Sequence, residues 1–439
     1  MNWTGKFLGP SSSCSGFAAL AFCTALTFAR PAAHGQPAAT STAPATVAVT
    51  GTAQASESDA AAHPDPSAKG RPSGGLVLSS PNASVIIGGY AEIFYQWNFN
   101  QPINSVTNYR GFDSRHNSVT ISNVVLDTAG SVGPVSARIA LQFGHTPESY
   151  YLSEPSSPPT AGAGASGIQV WKFLQQALIG YRAPVGRGLL FEAGIYLSPV
   201  GLEGMAIKDQ WNWSRSNLFF GLPFYHTGFR LSYPFTDRLT VTLHANNGWN
   251  NVVDNNVPWS LVGEVAYVIP ELLTLHFVYF TGVERSTGSP EGQPWRHMFD
   301  AYATWQPKSW LSLSINGNAG FEPNDFGTSL WAAGALYLGF IPHRIIHLSA
   351  RADLFYKRDA ESAAGRAAPI FWPASLVSSQ TATFDVRPHS NISFRLEYRH
   401  DHASDPLYYG SASPLDLSGR YLPDASDQDT LTLGIVAWF

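Results

Sequence analysis

The feature that most constrains this chain is a two-residue alternation of apolar and polar side chains, recurring from residue 84 to the C-terminus. Val135, Ala137, Ile139, Leu141 and Phe143 form one apolar row, with Ser136, Arg138, Ala140, Gln142 and Gly144 between them. Leu239, Val241, Leu243 and Ala245 alternate with Thr240, Thr242, His244 and Asn246. Ile392, Phe394, Leu396 and Tyr398 alternate with Ser393, Arg395, Glu397 and Arg399. Successive side chains on a strand point to opposite faces, so each segment predicts a strand with one apolar and one polar side.

Sixteen such segments are legible: 84–97, 116–129, 134–144, 170–183, 189–197, 224–233, 238–249, 259–269, 272–283, 295–306, 309–321, 329–341, 344–357, 378–388, 391–402 and 428–439. Their connections alternate between long and short. The short ones fall at 130–133, 184–188, 234–237, 270–271, 307–308, 342–343 and 388–389, each with a proline in or beside it. Proline stops a ladder and presets a turn. Longer links include 145–169, 198–223, 358–377 and 403–427.

An even strand count with short turns at one end and long loops at the other predicts an antiparallel up-and-down transmembrane β-barrel of about 16 strands, with 14–18 as the range. Both chain ends then lie on the periplasmic side. A soluble β-sandwich has no reason to segregate its connections this way. Composition agrees: charged residues are 13% and aromatics 13%, below and above ordinary soluble usage. Mean hydropathy is −0.07, which excludes a bundle of apolar helices. The net charge of −5, with arginines scattered and lysines scarce, argues against a nucleic-acid partner.

The N-terminus reads as an export signal over residues 1–35. Lys6 precedes an apolar run from Phe17 to Phe28, and Ala33-His34-Gly35 supplies small residues for cleavage after Gly35. The run falls short of the roughly 20 apolar residues of a spanning helix. Lipoprotein processing at Cys23 is disfavoured by Phe22, which stands where a small residue is wanted. Cys14 and Cys23, the two cysteines, both lie in this signal, so the mature chain carries no thiol. Residues 36–83 are rich in Ala, Pro, Ser and Thr and read as a disordered periplasmic linker. The barrel occupies 84–439.

The last strand, Leu431 to Phe439, places Leu431, Leu433, Ile435, Ala437 and Phe439 on one face. A terminal strand ending in an aromatic residue is the expected signal to the barrel-assembly machinery, carried here by Phe439.

Several stretches resemble the β-barrel porin-2 (OmpL-like) family. They are Arg115-His-Asn-Ser-Val-Thr-Ile-Ser-Asn-Val-Val-Leu-Asp127, Asn212-Trp-Ser-Arg-Ser-Asn-Leu-Phe219, Pro223-Phe-Tyr-His-Thr-Gly-Phe-Arg-Leu-Ser-Tyr233, Asn246-Asn-Gly-Trp-Asn-Asn251 and Phe394-Arg-Leu-Glu-Tyr-Arg-His400. The resemblance spans residues 84 to 439 and implies an outer-membrane porin of undefined substrate, with no catalytic residues to carry over.

If the apolar rows face lipid, Arg138, Glu192, Arg230, His244, Glu264, His276, Asp300, Arg351, Asp353, Arg395, Glu397 and Arg399 line the pore. Placing an Arg or Lys on the lipid face at the membrane centre costs about 2–4 kcal/mol, which fixes the parity. With Arg182 the wall holds six arginines against five carboxylates, so its ion preference stays open. The long segment Gly201 to Leu222, carrying Lys208, Asp209, Trp211, Trp213 and Arg215, is the candidate constriction loop; the alternative is a loop over the rim. Trp97, Tyr109, Trp249, Trp295 and Trp438 read as interfacial girdles, with a sugar-stacking path as the second reading. Asp254-Asn255-Asn256 lacks the spacing of a calcium loop.

No Gly-x-Ser-x-Gly elbow or His-Glu-x-x-His helix occurs, so no enzyme, metal or cofactor is expected. The expected function is passive diffusion of small hydrophilic solutes through a water-filled lumen, and the alternative is a non-conducting structural or adhesive barrel. Expected partners are outer-membrane lipid, the assembly machinery and the solutes, with homo-oligomerisation open.

Overall fold

The computed structural model describes residues 48–50, 75–150 and 171–439. The export signal and its cleavage position lie outside the described residues. Sixteen strands close into one antiparallel barrel: β1 (Ala83–Asn98), β2 (Val119–Val132), β3 (Val135–Phe143), β4 (Leu174–Ala183), β5 (Leu189–Leu197), β6 (Tyr225–Pro234), β7 (Leu239–Asn246) and β8 (Ser260–Ile269). They continue as β9 (Leu273–Val283), β10 (Trp295–Lys308), β11 (Leu311–Asn324), β12 (Gly327–His343), β13 (Ile346–Arg358), β14 (Leu376–His389), β15 (Ile392–Ala403) and β16 (Asp427–Trp438). Each strand pairs with its sequence neighbours. β16 closes the ring on β1, from Leu431 opposite Trp97 to Trp438 opposite Tyr90. Closure leaves no edge, as a sheet crossing lipid requires. No helix among the described residues is long and apolar enough to cross a membrane.

The alternating rows sort as their pattern dictates. Ile139, Leu243 and Leu396 are exposed on the outer face, while Arg138, His244 and Glu397 are buried within. The outside is thus the apolar side, the inverse of a soluble sheet. Phe439 extends the outward row of β16, its backbone exchanging hydrogen bonds with Gly89 at 3.1 and 3.2 Å.

Three details differ from the sequence reading. Leu76–Ser80, inside the expected linker, form a strand antiparallel to the start of β1, with Leu76 opposite Ile87, and Ala48–Thr50 pair with that strand in turn. The prolines at 307, 342 and 388 are not the turns. Each sits at a register shift near the end of β10, β12 or β14, where its missing N–H breaks no ladder bond. The turns are the two-residue pairs that follow, at 309–310, 344–345 and 390–391. Finally, β11 and β12 run on to Asn324 and Gly327, so their link is only two residues rather than a longer loop.

Candidate functional site

The segment 198–224, between β5 and β6, runs inside the barrel, and most of it is buried. A coil within a barrel finds no ladder partners of its own, yet its main-chain groups still need hydrogen bonds. The wall supplies them. Asp300 Oδ1 accepts the N–H of Gly201 and Asn316 Oδ1 that of Leu202, both at 3.0 Å. Glu92 Oε1 accepts from Ile207 at 2.6 Å. Glu397 accepts from Trp213 at 2.5 Å and Ser214 at 2.9 Å, and Asp353 accepts from Asn217 at 3.0 Å. Guanidinium groups take the carbonyls: Arg395 donates to Asn212 O at 3.0 Å, Arg351 to Ser214 O at 2.6 Å, and Arg399 to Arg215 O.

Inside the loop, Glu203 accepts from the Ser216 N–H at 2.9 Å and from Arg351 at 2.9 Å. Ser216 Oγ in turn caps the short helix Asn217–Phe220, accepting the N–H of Phe219 at 3.1 Å.

This arrangement divides the expected pore-lining residues. Asp300, Arg351, Asp353, Arg395, Glu397 and Arg399 bind the loop or are covered by it, so they anchor it rather than meet solute. The constriction candidates divide too. Trp213 is buried beside Phe94 at a centroid distance of 6.1 Å. Arg215 donates to the carbonyls of Gly204, Trp213 and Met205 and so clasps the loop to itself. The Trp211 carbonyl accepts from Ser349 Oγ at 2.9 Å. Lys208 and Asp209, paired at 2.8 Å, border the space between the loop and the wall.

The other six form a belt on β3 to β9. Arg138 pairs with Asp127 at 2.5 Å and Arg230 with Glu192 at 2.6 Å. The Arg230 guanidinium lies 4.9 Å from the centre of the Tyr196 ring, whose hydroxyl is 3.3 Å from His244 Nδ1. Glu264 sits between His276 at 3.1 Å and His244 at 3.7 Å, and the His276 ring stacks on Tyr302 at 4.5 Å. The belt thus holds charges of both signs, Arg138 and Arg230 against Glu192 and Glu264, with two histidines beside them.

Two spaces adjoin this arc. One, of about 380 Å³, lies between the loop and the wall and is lined by Tyr90, Asp127, Gln175, Glu203 and Lys208 among others. The second, about 720 Å³, lies towards the short turns and is lined by Arg138, Arg182 and Glu192 among others. Asp127 lines the first and Arg138 the second, so their ion pair stands between the two.

Asp127, Glu92 and Glu203 were absent from the residues singled out by sequence. Asp127 was hidden because Ser122 is an extra residue in β2, which shifts the register between Glu92 and Ile93 and turns Asn123, Val125 and Asp127 inward. Unbroken alternation cannot reveal such a flip. A similar bulge at Gln175 brings both Gln175 and Gln176 to the inner face of β4. Glu92, by contrast, follows the parity of β1 and was legible. Of the aromatics expected at the interfaces, Trp97 and Trp295 stand on the outer face near the long loops, while Trp438 packs against buried Tyr90, Phe94 and Val436. Asp254 Oδ1 accepts from Asn256 N at 2.9 Å, a local turn.

The fold is similar to that of the anion-selective porin from Comamonas acidovorans, at 12% identity and a TM-score of 0.51, covering 81% of this chain and 100% of that one. It is similar to Salmonella typhi OmpF, solved with daunomycin, at 10% identity and a TM-score of 0.50, covering 83% and 100%. The trimer form of in-vitro folded OmpT from Vibrio cholerae gives 9% identity and a TM-score of 0.51, covering 82% and 100%. At such identities the likeness concerns the fold alone. Comparison with curated protein sequences gave no match. Residues 84–439 match the family described as "Putative beta-barrel porin-2, OmpL-like", and the chain belongs to that family of outer-membrane porins.

Proposed function

We propose that this porin passes small hydrophilic solutes by passive diffusion between the inward loop and the β1–β9 wall. The observation that carries this reading is the pair of spaces flanking the Asp127–Arg138 pair, one between the loop and the wall and the other towards the short turns. The solute meets a wall of mixed sign there, so the channel restricts size more than charge. Arg138, Glu192, Arg230, His244, Glu264 and His276 would line the path, with Lys208 and Asp209 on the opposite margin. The chain would reach the outer membrane through a cleaved signal, be assembled by way of the strand ending in Phe439, and sit in lipid through its outward apolar rows. A homo-oligomer is compatible with this fold.

A second reading, a closed structural barrel, draws on the apolar packing of the loop inside the barrel. There Trp331, Phe355 and Trp372 pack with the loop's Leu218 and Leu222 in a buried apolar cluster. Single-channel recording of the refolded mature chain in a planar bilayer separates the two. Discrete, stable conductance steps support diffusion. Silence from verified, heat-modifiable barrel overturns it in favour of the closed barrel.

A further inference from the structure

At the end of the barrel bearing the long connections, loops following β1, β5, β7 and β13 meet around a pocket of about 300 Å³. Tyr109, Phe220, Phe224, Trp249, Phe371 and Trp372 contribute its aromatic walls. Two of these, Tyr109 and Trp249, were expected in an interfacial girdle, yet they belong to this mouth.

Trp372 is only 5% exposed, and its indole Nε1–H has no hydrogen-bond partner. Buried donors are almost always satisfied, so an unsatisfied one on a residue that lines a pocket points to an acceptor supplied from outside the chain. The pocket's cations are already committed. Arg110 pairs with Asp113 and with Asp401, the latter at 3.1 Å, and Arg296 pairs with Glu322 at 2.7 Å. The charge of each guanidinium is thus already matched by carboxylates, although the buried Nε of Arg110 has no partner. The side-chain oxygen of Asn250, which also borders the pocket, is occupied by the N–H of Phe224 at 2.7 Å.

Tyr109 holds its ring here from a left-handed backbone, with φ of 53°. The preceding Asn108 is fixed from both sides: its Nδ2 donates to Leu407 O at 2.8 Å, and its carbonyl accepts from Gln428 Nε2 at 3.2 Å. A bulky residue persists in that region only where its surroundings over-determine it, as they do at ligand clamps.

We propose that this pocket binds a neutral saccharide ring. Such a ring offers a flat C–H face to aromatic surfaces, whose faces carry partial negative charge. It also offers hydroxyl oxygens to an indole donor and needs no counter-ion. The inference rests on the diffusion reading for the onward passage of the sugar but not for its binding.

Calorimetric titration of maltose into the detergent-folded full chain tests it, with mannitol and benzoate as controls. The expected result is saturable binding of maltose and none of either control. Trp372→Phe, which keeps a ring and removes the N–H, weakens maltose binding roughly tenfold, the worth of one hydrogen bond. Trp249→Ala abolishes it. Heat-modifiability verifies that each variant is folded. Absence of saturable maltose heat, equal binding of mannitol, or preference for benzoate overturns the proposal. Conductance without sugar binding leaves the diffusion reading standing alone. Sugar binding to a silent barrel removes that reading and leaves the site.

Discussion

The carboxylate of Glu397, on β15, accepts the backbone N–H of Trp213 at 2.5 Å and so fixes the deepest part of the inward loop to the far wall. The same carboxylate takes Ser214 N–H at 2.9 Å and Thr383 Oγ1–H at 2.7 Å. Removing it strands two buried main-chain donors, each at a cost of about 1–3 kcal/mol. Glu397→Ala is therefore expected to free the loop without opening the barrel, whose ladders do not involve it. Conductance rises and becomes noisy, and proteases reach residues 210–216. Glu397→Gln, which retains one acceptor oxygen, gives a smaller rise. Unchanged conductance in Glu397→Ala would show that the carboxylate does not hold the loop.

Glycine chemistry separates loop seating from barrel stability. A methyl group at Gly434, on β16, would overlap the Trp213 ring, whereas one at Gly317 on β11 meets nothing within 4 Å. Overpacking of this kind costs about 1–3 kcal/mol. Gly434→Ala is expected to displace Trp213 and shift its fluorescence towards that of a solvated indole. Gly317→Ala leaves fluorescence, conductance and heat-modifiability unchanged. Equal behaviour of the two variants would mean that Trp213 has room the packing does not indicate.

Much of this architecture was legible in the sequence because lipid imposes a strict rule on one face only. The rows of Ile139, Leu243 and Leu396 had to face outward, and their polar neighbours inward, with no knowledge of any contact. What the inward residues do was not legible. Arg395 and Arg138 share parity and chemistry, yet one binds a loop carbonyl and the other a lumenal carboxylate. That difference depends on the path of a coil with no periodicity of its own. The bulges at Ser122 and Gln175 were equally silent, since one inserted residue changes the face without changing the residue types nearby. Prolines marked the turns to within two or three residues, because a bulge and a turn both spare the missing N–H.

The Glu192–Arg230 pair gives an electrical test of which arc conducts. Both side chains are buried on the inner wall and joined at 2.6 Å. Neutralising either leaves one charge beside the path, so Arg230→Gln is expected to move the reversal potential towards cation preference and Glu192→Gln towards anion preference. Removing one partner of a buried pair costs about 3–5 kcal/mol, which a sixteen-stranded barrel is expected to tolerate. The double variant restores the parental value. Shifts of the same sign in both single variants, or none, would place the ion path elsewhere.

The final prediction concerns the loops at the mouth and their response to pH. Glu284, just beyond β9, accepts the N–H of Trp249 at 2.7 Å and the Ser260 hydroxyl at 2.6 Å. Burial pushes its carboxyl up to about 7 from the ordinary 4.5, although the Arg296 guanidinium pulls the other way; Glu322 adds to the rise. A raised value means that the folded loop holds the proton more tightly than the opened one. The stabilisation is therefore complete below 4.5 and is lost as pH climbs through about 7. Hydrogen exchange at the Trp249 amide, corrected for its intrinsic rate, reads this local opening directly. Protection is expected to fall across that window in the parent chain and to stay level in Glu284→Gln. Because Trp249 also borders the aromatic pocket, maltose affinity should weaken over the same range. Protection that rises with pH would reverse the assignment, since Glu284 would then be held as a carboxylate by Arg296 and its two donors.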